Sequence, residues 1–201
     1  MLSQLIGCRV DSATPYCRLR CDTEFQQPSS AKILPFYSNS HSGANCIDGL
    51  FLSNTPLCIS QRAISPWIAL DFGLGLVDVQ KVVVYNRHNY GKRFRNAEVR
   101  VTASMPSSTS MMETEGRLIG NFAGPGTSGQ VITFETEELK IGRYVLVQQK
   151  GSSDTDNKNH MNLLEVQVIG CKPDQGEQSS KIDPVDLPPR PWLPESDNQG
   201  V

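Results

Sequence analysis

Arg87 and Arg93 bracket the polar run Asn86-Arg-His-Asn-Tyr-Gly-Lys-Arg93, and they offer the most distinctive chemistry in this chain. A guanidinium holds its N–H donors in a planar fork that suits a carboxylate, a sulfate or the hydroxyls of a sugar. The plain alternative for such side chains is a surface ion pair of small energetic value. Tyr90, between the two arginines, can stack on an apolar ligand face or simply cover the base of the loop. A second polar segment, Asn45-Cys-Ile-Asp-Gly49, has the form of a tight turn, and Glu165 lies in the run Leu163-Leu-Glu-Val-Gln-Val-Ile-Gly170. Taken alone, Asp48 reads as the side chain that closes an Asp-Gly turn, and Glu165 as a solvated strand residue.

A rigid element must carry the arginine loop. The apolar, β-branched run Val79, Val82, Val83, Val84, Tyr85 predicts a core strand, and the abrupt change to Arg87, His88, Asn89, Lys92 and Arg93 ends it. Loops held by a sheet are where binding groups concentrate. Further β-prone runs recur between Gly, Pro, Ser and Asn clusters: Ile33 to Tyr37, Trp67 to Phe72, Ala97 to Ala103, Val131 to Phe134, Tyr144 to Gln149 and Leu163 to Ile169. In the run from Ala97, alternation puts Ala97, Val99 and Val101 on a buried face and Glu98, Arg100 and Thr102 on the other. No segment shows a long amphipathic helix. The pattern predicts an all-β fold, a jelly-roll sandwich.

The 201 residues, 38% hydrophobic and 20% charged, suffice for one substantial core. Composition divides the chain into a Cys-containing N-terminal extension (1–30), a β domain (31–171) and a Pro-rich tail (172–201) expected to be extended. A net charge of −2 gives no large basic field, so nucleic acid is not an expected partner. No apolar run approaches the length of a transmembrane segment. Cys8, Cys17, Cys21, Cys46, Cys58 and Cys171 form an even set without a Cys-x-x-Cys pair, which favours disulfides over zinc but leaves their connectivity open. An extracellular, secreted chain is expected, its leader or an upstream part lying outside this sequence.

Taken in order, Asn45 to Gly49, Ser65-Pro-Trp-Ile-Ala-Leu-Asp-Phe-Gly73, the strand feeding the arginine loop, and Leu163 to Gly170 resemble discoidin-type domains. This group of galactose-binding-like jelly rolls includes coagulation factor V/VIII type C domains and the fucose-binding F-type lectins; the likeness to the lectins is the greater. The resemblance implies a sugar site. Arg87 matches the first arginine of the lectin motif, Asn89 stands where the motif has an Asp, and Arg93 matches the second arginine after a one-residue deletion. The motif's histidine falls on Ser60; Arg62 and His88 are the candidates to compensate, though neither matches the motif. The resemblance also implies calcium, held by Asn45, Asp48, Leu50 and Glu165. It further suggests the disulfide Cys46–Cys58 and a tie from Cys171 to Cys21 or a neighbour, which would leave Cys8 and Cys17 as a local pair; Leu164 stands where many F-type lectins have the partner of the Cys58 position. Strand parity would turn Leu164, Val166 and Val168 inward and Glu165 outward.

Other motifs lack their necessary context. Gly124-Pro-Gly-Thr-Ser-Gly129 fits a dinucleotide fingerprint but precedes a β-prone run instead of a helix. Asp154, Asp156 and Glu165 have EF-hand spacing, yet Asn159 replaces the required Gly. His41, His88 and His160 lack metalloprotease spacing, and no nucleophile elbow is present. Trp67 and Tyr144 read as packing residues. The expected function is therefore a non-catalytic module that binds a glycan or glycoprotein. The alternatives are adhesion to cell-surface or extracellular-matrix proteins, and phospholipid binding through Phe51 and Leu52.

Overall fold

Runs of β-branched residues fold here into two antiparallel sheets, in a computed structural model that describes residues 23–52, 55–106, 116–138, 140–151 and 160–172. The strands in chain order are β1 (Glu24–Gln26), β2 (Ser30–Leu34), β3 (Cys58–Ile59), β4 (Trp67–Asp71), β5 (Val77–Asn86), β6 (Ala97–Thr102), β7 (Arg117–Phe122), β8 (Val131–Glu135), β9 (Ile141–Gly142), β10 (Tyr144–Gln149) and β11 (Asn162–Cys171). One sheet runs β1-β11-β5-β8, with β3 also on β11 and β9 also on β5; the other runs β2-β4-β10-β6-β7. This is the expected jelly-roll sandwich. Its core interleaves Ile68, Leu70, Val99, Val101, Val145 and Val147 from one sheet with Val82, Val84, Val166 and Val168 from the other.

The strand register brings many connections to one end of the sandwich. Leu34 pairs with Trp67, and Trp67 with Gln148. Gln148 pairs with Glu98, Asn86 with Leu163, and Tyr85 with Val131. The loops that follow β2, β5, β7 and β10 therefore share a rim with those that precede β4, β6, β8 and β11. Phe36 and Ser60 form an isolated bridge beside it.

Several expectations change. Strand β2 stops at Leu34 because Pro35 offers no N–H to the ladder. Strand β1 pairs with β11 through Phe25 and Ile169, so the sandwich takes a strand from the segment assigned to the N-terminal extension. Strand β7 carries too few apolar residues to be recognised by alternation; Gly120 passes close to Phe134, where an added Cβ would lie 3.1 Å from the ring. The second face of β6 is covered as well, since Glu98 is buried and receives Lys150 Nζ at 2.6 Å and Arg100 Nε at 3.0 Å.

In β11 a bulge between Leu163 and Glu165 shifts the side-chain phase by one. Leu163, rather than Leu164, therefore joins Val166 and Val168 in the main core. Cys46 and Cys58 form a disulfide with a Cα–Cα distance of 5.4 Å, and Cys171 is also disulfide-bonded. Cys8, Cys17, Cys21 and the Pro-rich tail lie outside the described residues, as do Asp154 and Asp156.

Candidate functional site

Asn86 ends β5 and organises the arginine loop from below. It is 1% exposed, and its amide Nδ2 donates to the carbonyls of Gly91 and Thr127, each at 2.9 Å. Its Oδ1 accepts the Arg87 N–H at 3.0 Å, so one buried side chain fixes both limbs of the loop. The segment 124–130 closes against it, with Gly129 N–H donating to Arg87 O at 2.9 Å. Contact is too close for side chains: a Cβ on Gly91 would fall 2.3 Å from Thr127 O, and one on Gly126 2.7 Å from Asn86 Nδ2. The Gly-Pro-Gly-Thr-Ser-Gly segment is thus a buttress for the loop.

Tyr90 follows in the left-handed region (φ 58°), and Gly91–Arg93 form a 3-10 turn. That backbone turns both arginines onto one ring. The guanidinium carbon of Arg87 lies 5.2 Å from the Tyr90 centroid and that of Arg93 4.7 Å, within cation–π range. Tyr90 therefore orders the two cations and serves as their platform. Arg87 Nη1 also donates to Asn162 Oδ1 at 3.1 Å, while its Nε is buried without a hydrogen-bond partner. Burial, followed by the charge of Arg93, lowers the Arg87 pKa below the ordinary arginine value, with Tyr90 opposing. Among the described residues, no carboxylate forms an ion pair with either arginine.

Asn162 extends the arrangement. Its Nδ2 donates to His160 O at 2.9 Å, and His160 Nδ1 lies 3.1 Å from Ser60 O. A carbonyl only accepts, so His160 Nδ1 carries the proton and Nε2 is the acceptor in the neutral ring. Ser60 itself is wholly buried, its hydroxyl accepting Met161 N–H at 2.9 Å. It is a strut, not a ligand donor. His88 lies against Gly129, where an added Cβ would be 3.0 Å from its Nδ1. Asn89 and Arg62 are exposed, and Arg62 already has an interaction of its own.

The carboxylate pair forms a second, separate arrangement. Glu165 lies on the outer face of β11 yet is 0% exposed, because the turn at 47–51 covers it. Phe51 stacks on Tyr85 beside it, with ring centroids 4.8 Å apart. The solvated reading of Glu165 is therefore corrected, and Phe51 is engaged in covering the sheet. Both carboxyl oxygens of Glu165 lie 3.3 Å from Gly49 N, and Asp48 Oδ1 accepts Leu50 N–H at 2.8 Å. Burial first, then the charge of Asp48, pushes the Glu165 pKa up to about 8. Asn45 braces the turn by donating from Nδ2 to Ser40 O and Leu57 O. Among the described residues, no cluster of three or more His, Cys, Asp or Glu side chains forms a metal site. Two carboxyl groups with only long N–H contacts to the buried one nevertheless suit a hard cation completed by backbone carbonyls.

No family model and no curated protein matches the sequence. Solved structures do match the backbone. A fucolectin from striped bass (Morone saxatilis) serum superposes with a TM-score of 0.64 at 22% identity, over 77% of this chain and 52% of that one. This chain thus spans about half of the fucolectin chain. A family 32 carbohydrate-binding module of C. perfringens NanJ, solved in complex with galactose, gives 0.56 at 12% identity over 74% and 99% of the two chains. A fucose-binding module of Streptococcus pneumoniae gives 0.55 at 16% identity over 73% and 94%. The fold is discoidin-like.

On this discoidin-like scaffold the structure brings Arg87 and Arg93 together, as their spacing predicts, and adds Tyr90 and Asn162, with His160 joined to Asn162 through its carbonyl. Sequence reasoning singled out Tyr90 but overlooked Asn86 and Asn162, and it treated His160 as a surface group. The useful signal was the β11 start: Asn162 immediately precedes a strand expected to close the sandwich beside the arginine strand.

Proposed function

We propose that this chain is an extracellular, non-catalytic glycan-binding module whose ligand contacts Arg87 and Arg93, with His160 Nε2 as a neighbouring acceptor. The observation that carries this reading is the pair of guanidiniums held over Tyr90 at the loop rim, with no carboxylate partner among the described residues. Their remaining N–H groups supply directional donors for hydroxyls, and His160 supplies an acceptor in its neutral form. Neighbours of the same fold, one solved in complex with galactose and one a fucose-binding module, support a glycan over other ligands. The Cys46–Cys58 disulfide and the bonded Cys171 support an oxidising compartment.

Calcium is proposed as a structural ion in this reading, with Asp48 and Glu165 as carboxylate ligands and backbone oxygens of the 45–50 turn completing the set. Its chemistry there is charge neutralisation and bracing of the turn. A glycan array probed with the wild-type chain and with Arg87→Ala tests the module: binding that disappears in the variant supports it, and the absence of any Arg87-dependent glycan signal rejects it.

A second reading rests on exposed apolar side chains at the same rim. Phe36, Tyr37 and Ile64 are 44%, 51% and 70% exposed. They fit an adhesive surface for a protein, and binding to cell-surface or matrix protein that survives competition by free sugars would favour it.

A further inference from the structure

Basic residues gather in the described part of the arginine rim, in a chain whose net charge is −2. Among the described residues, the loop segments 35–37, 60–66, 87–96, 123–130, 150–151 and 160–161 contain no Asp or Glu, while they include Arg62, Arg87, Lys92, Arg93, Arg95 and Lys150. Glu98, the carboxylate at the start of β6, is already held by Lys150 and Arg100. Arg87 and Arg93 instead share the Tyr90 ring and so concentrate two positive charges in one place. Such proximity is unfavourable without a counter-charge, especially for Arg87, whose Nε is buried and unpartnered.

A neutral sugar can accept hydrogen bonds from these forks but does nothing to relieve their repulsion. A sulfate ester or carboxylate does both, with short charge-assisted bonds. We infer that the Arg87–Tyr90–Arg93 platform selects glycans bearing an anionic group, a sulfate or a carboxylate, over the corresponding neutral sugars. This inference rests on the glycan-binding reading and adds to it the class of ligand.

Calorimetric titration of the full chain with matched probes tests the selection: galactose against galactose 3-sulfate and against galacturonate, at low and at physiological salt. At least one anionic probe should bind about tenfold or more tightly than galactose at low salt, since bonds to charged acceptors are roughly twice as strong as neutral ones. The preference should shrink as salt screens it. The two anionic arms tell sulfate from carboxylate. Arg87→Lys keeps the charge and removes the fork, so it should abolish most of the preference, as should Arg93→Gln, a second variant that leaves Asn162 undisturbed; Lys92→Ala should preserve it.

Equal affinity for neutral and anionic probes, with binding still dependent on Arg87, would overturn the inference while leaving the glycan module intact. An anionic preference unchanged in both Arg87→Lys and Arg93→Gln would also overturn it, because diffuse charge would then explain the result. No binding to any glycan, neutral or anionic, would remove the glycan module and this inference with it.

Discussion

Glu165 gives this fold a pH dependence that can be worked out in sign and size. Its carboxyl is 0% exposed, and burial together with Asp48 raises its pKa from 4.5 to about 8. The folded state therefore holds the proton more tightly than the unfolded one. By linkage the stabilisation is fully present below pH 4.5, declines as pH rises between 4.5 and about 8, and is lost above that window. At about 1.4 kcal/mol for each tenfold change in proton affinity, the upper limit is about 5 kcal/mol, before relaxation and water penetration reduce it.

For a chain of this size, roughly 2–4 °C of melting temperature per kcal/mol makes the fall on the order of 10 °C. Glu165→Gln keeps an oxygen acceptor for Gly49 N–H and removes the titration. Thermal melts in EDTA from pH 4.5 to 8.5 should show the wild type losing stability as pH rises while Glu165→Gln follows a flatter course and exceeds it at pH 8. Calcium requires the ionised carboxyl, so adding it at pH 8 should restore the wild type and leave Glu165→Gln largely unaffected. Wild-type and variant melting curves that run parallel across this window in EDTA would refute the burial argument. A wild type insensitive to calcium at pH 8 would refute the ion.

Asn162 and Arg87 should act as a unit in ligand binding: in a double-mutant cycle with Arg87→Ala and Asn162→Ala, titrated with the tightest glycan found, the coupling should be about 1 kcal/mol. Gly91→Ala should destabilise the chain by about 1–3 kcal/mol in urea unfolding and weaken ligand binding, because its Cβ would sit 2.3 Å from Thr127 O; Gly151→Ala, with nothing among the described residues within 4 Å of the added Cβ, should do neither. Replacing Cys46 and Cys58 together by Ser opens a link of sequence separation 12 and should cost about 3 kcal/mol by denaturant titration, with the Asp48 turn losing hydrogen-exchange protection first.

The legibility of this molecule follows the range of its interactions. Strands β4, β5, β6 and β10 declare themselves through local runs of Val, Ile, Leu and Ala, because a pleated surface rewards each of those residues where it stands. Strands β1 and β7 do not, since EFQ and RLIGNF hold no run of β-branched residues and each is placed by the strand it pairs with. The same distinction divides the site. Arg87 and Arg93 share one loop and are visible from spacing, whereas Asn162 meets Arg87 across 75 residues and Gly49 meets Glu165 across 116. Parity placed Glu165 outside the core correctly, but outside did not mean solvated once a distant turn folded over it.

Ser60 shows the deeper reason that residue-by-residue transfer is incomplete. A motif position compares side chains, yet what Ser60 presents to the rim is its backbone carbonyl, which orients His160. The pairing of β3 with β11, which aligns Ile59 with Asn162, brings the His160 imidazole from the far end of the chain to the Ser60 carbonyl. The same β11 start lies beside the end of β5, where Leu163 pairs with Asn86. The candidate recognition surface is consequently a product of strand register: a one-residue slip between β5 and β11 would leave every side chain present and separate Arg87 from Asn162 and His160.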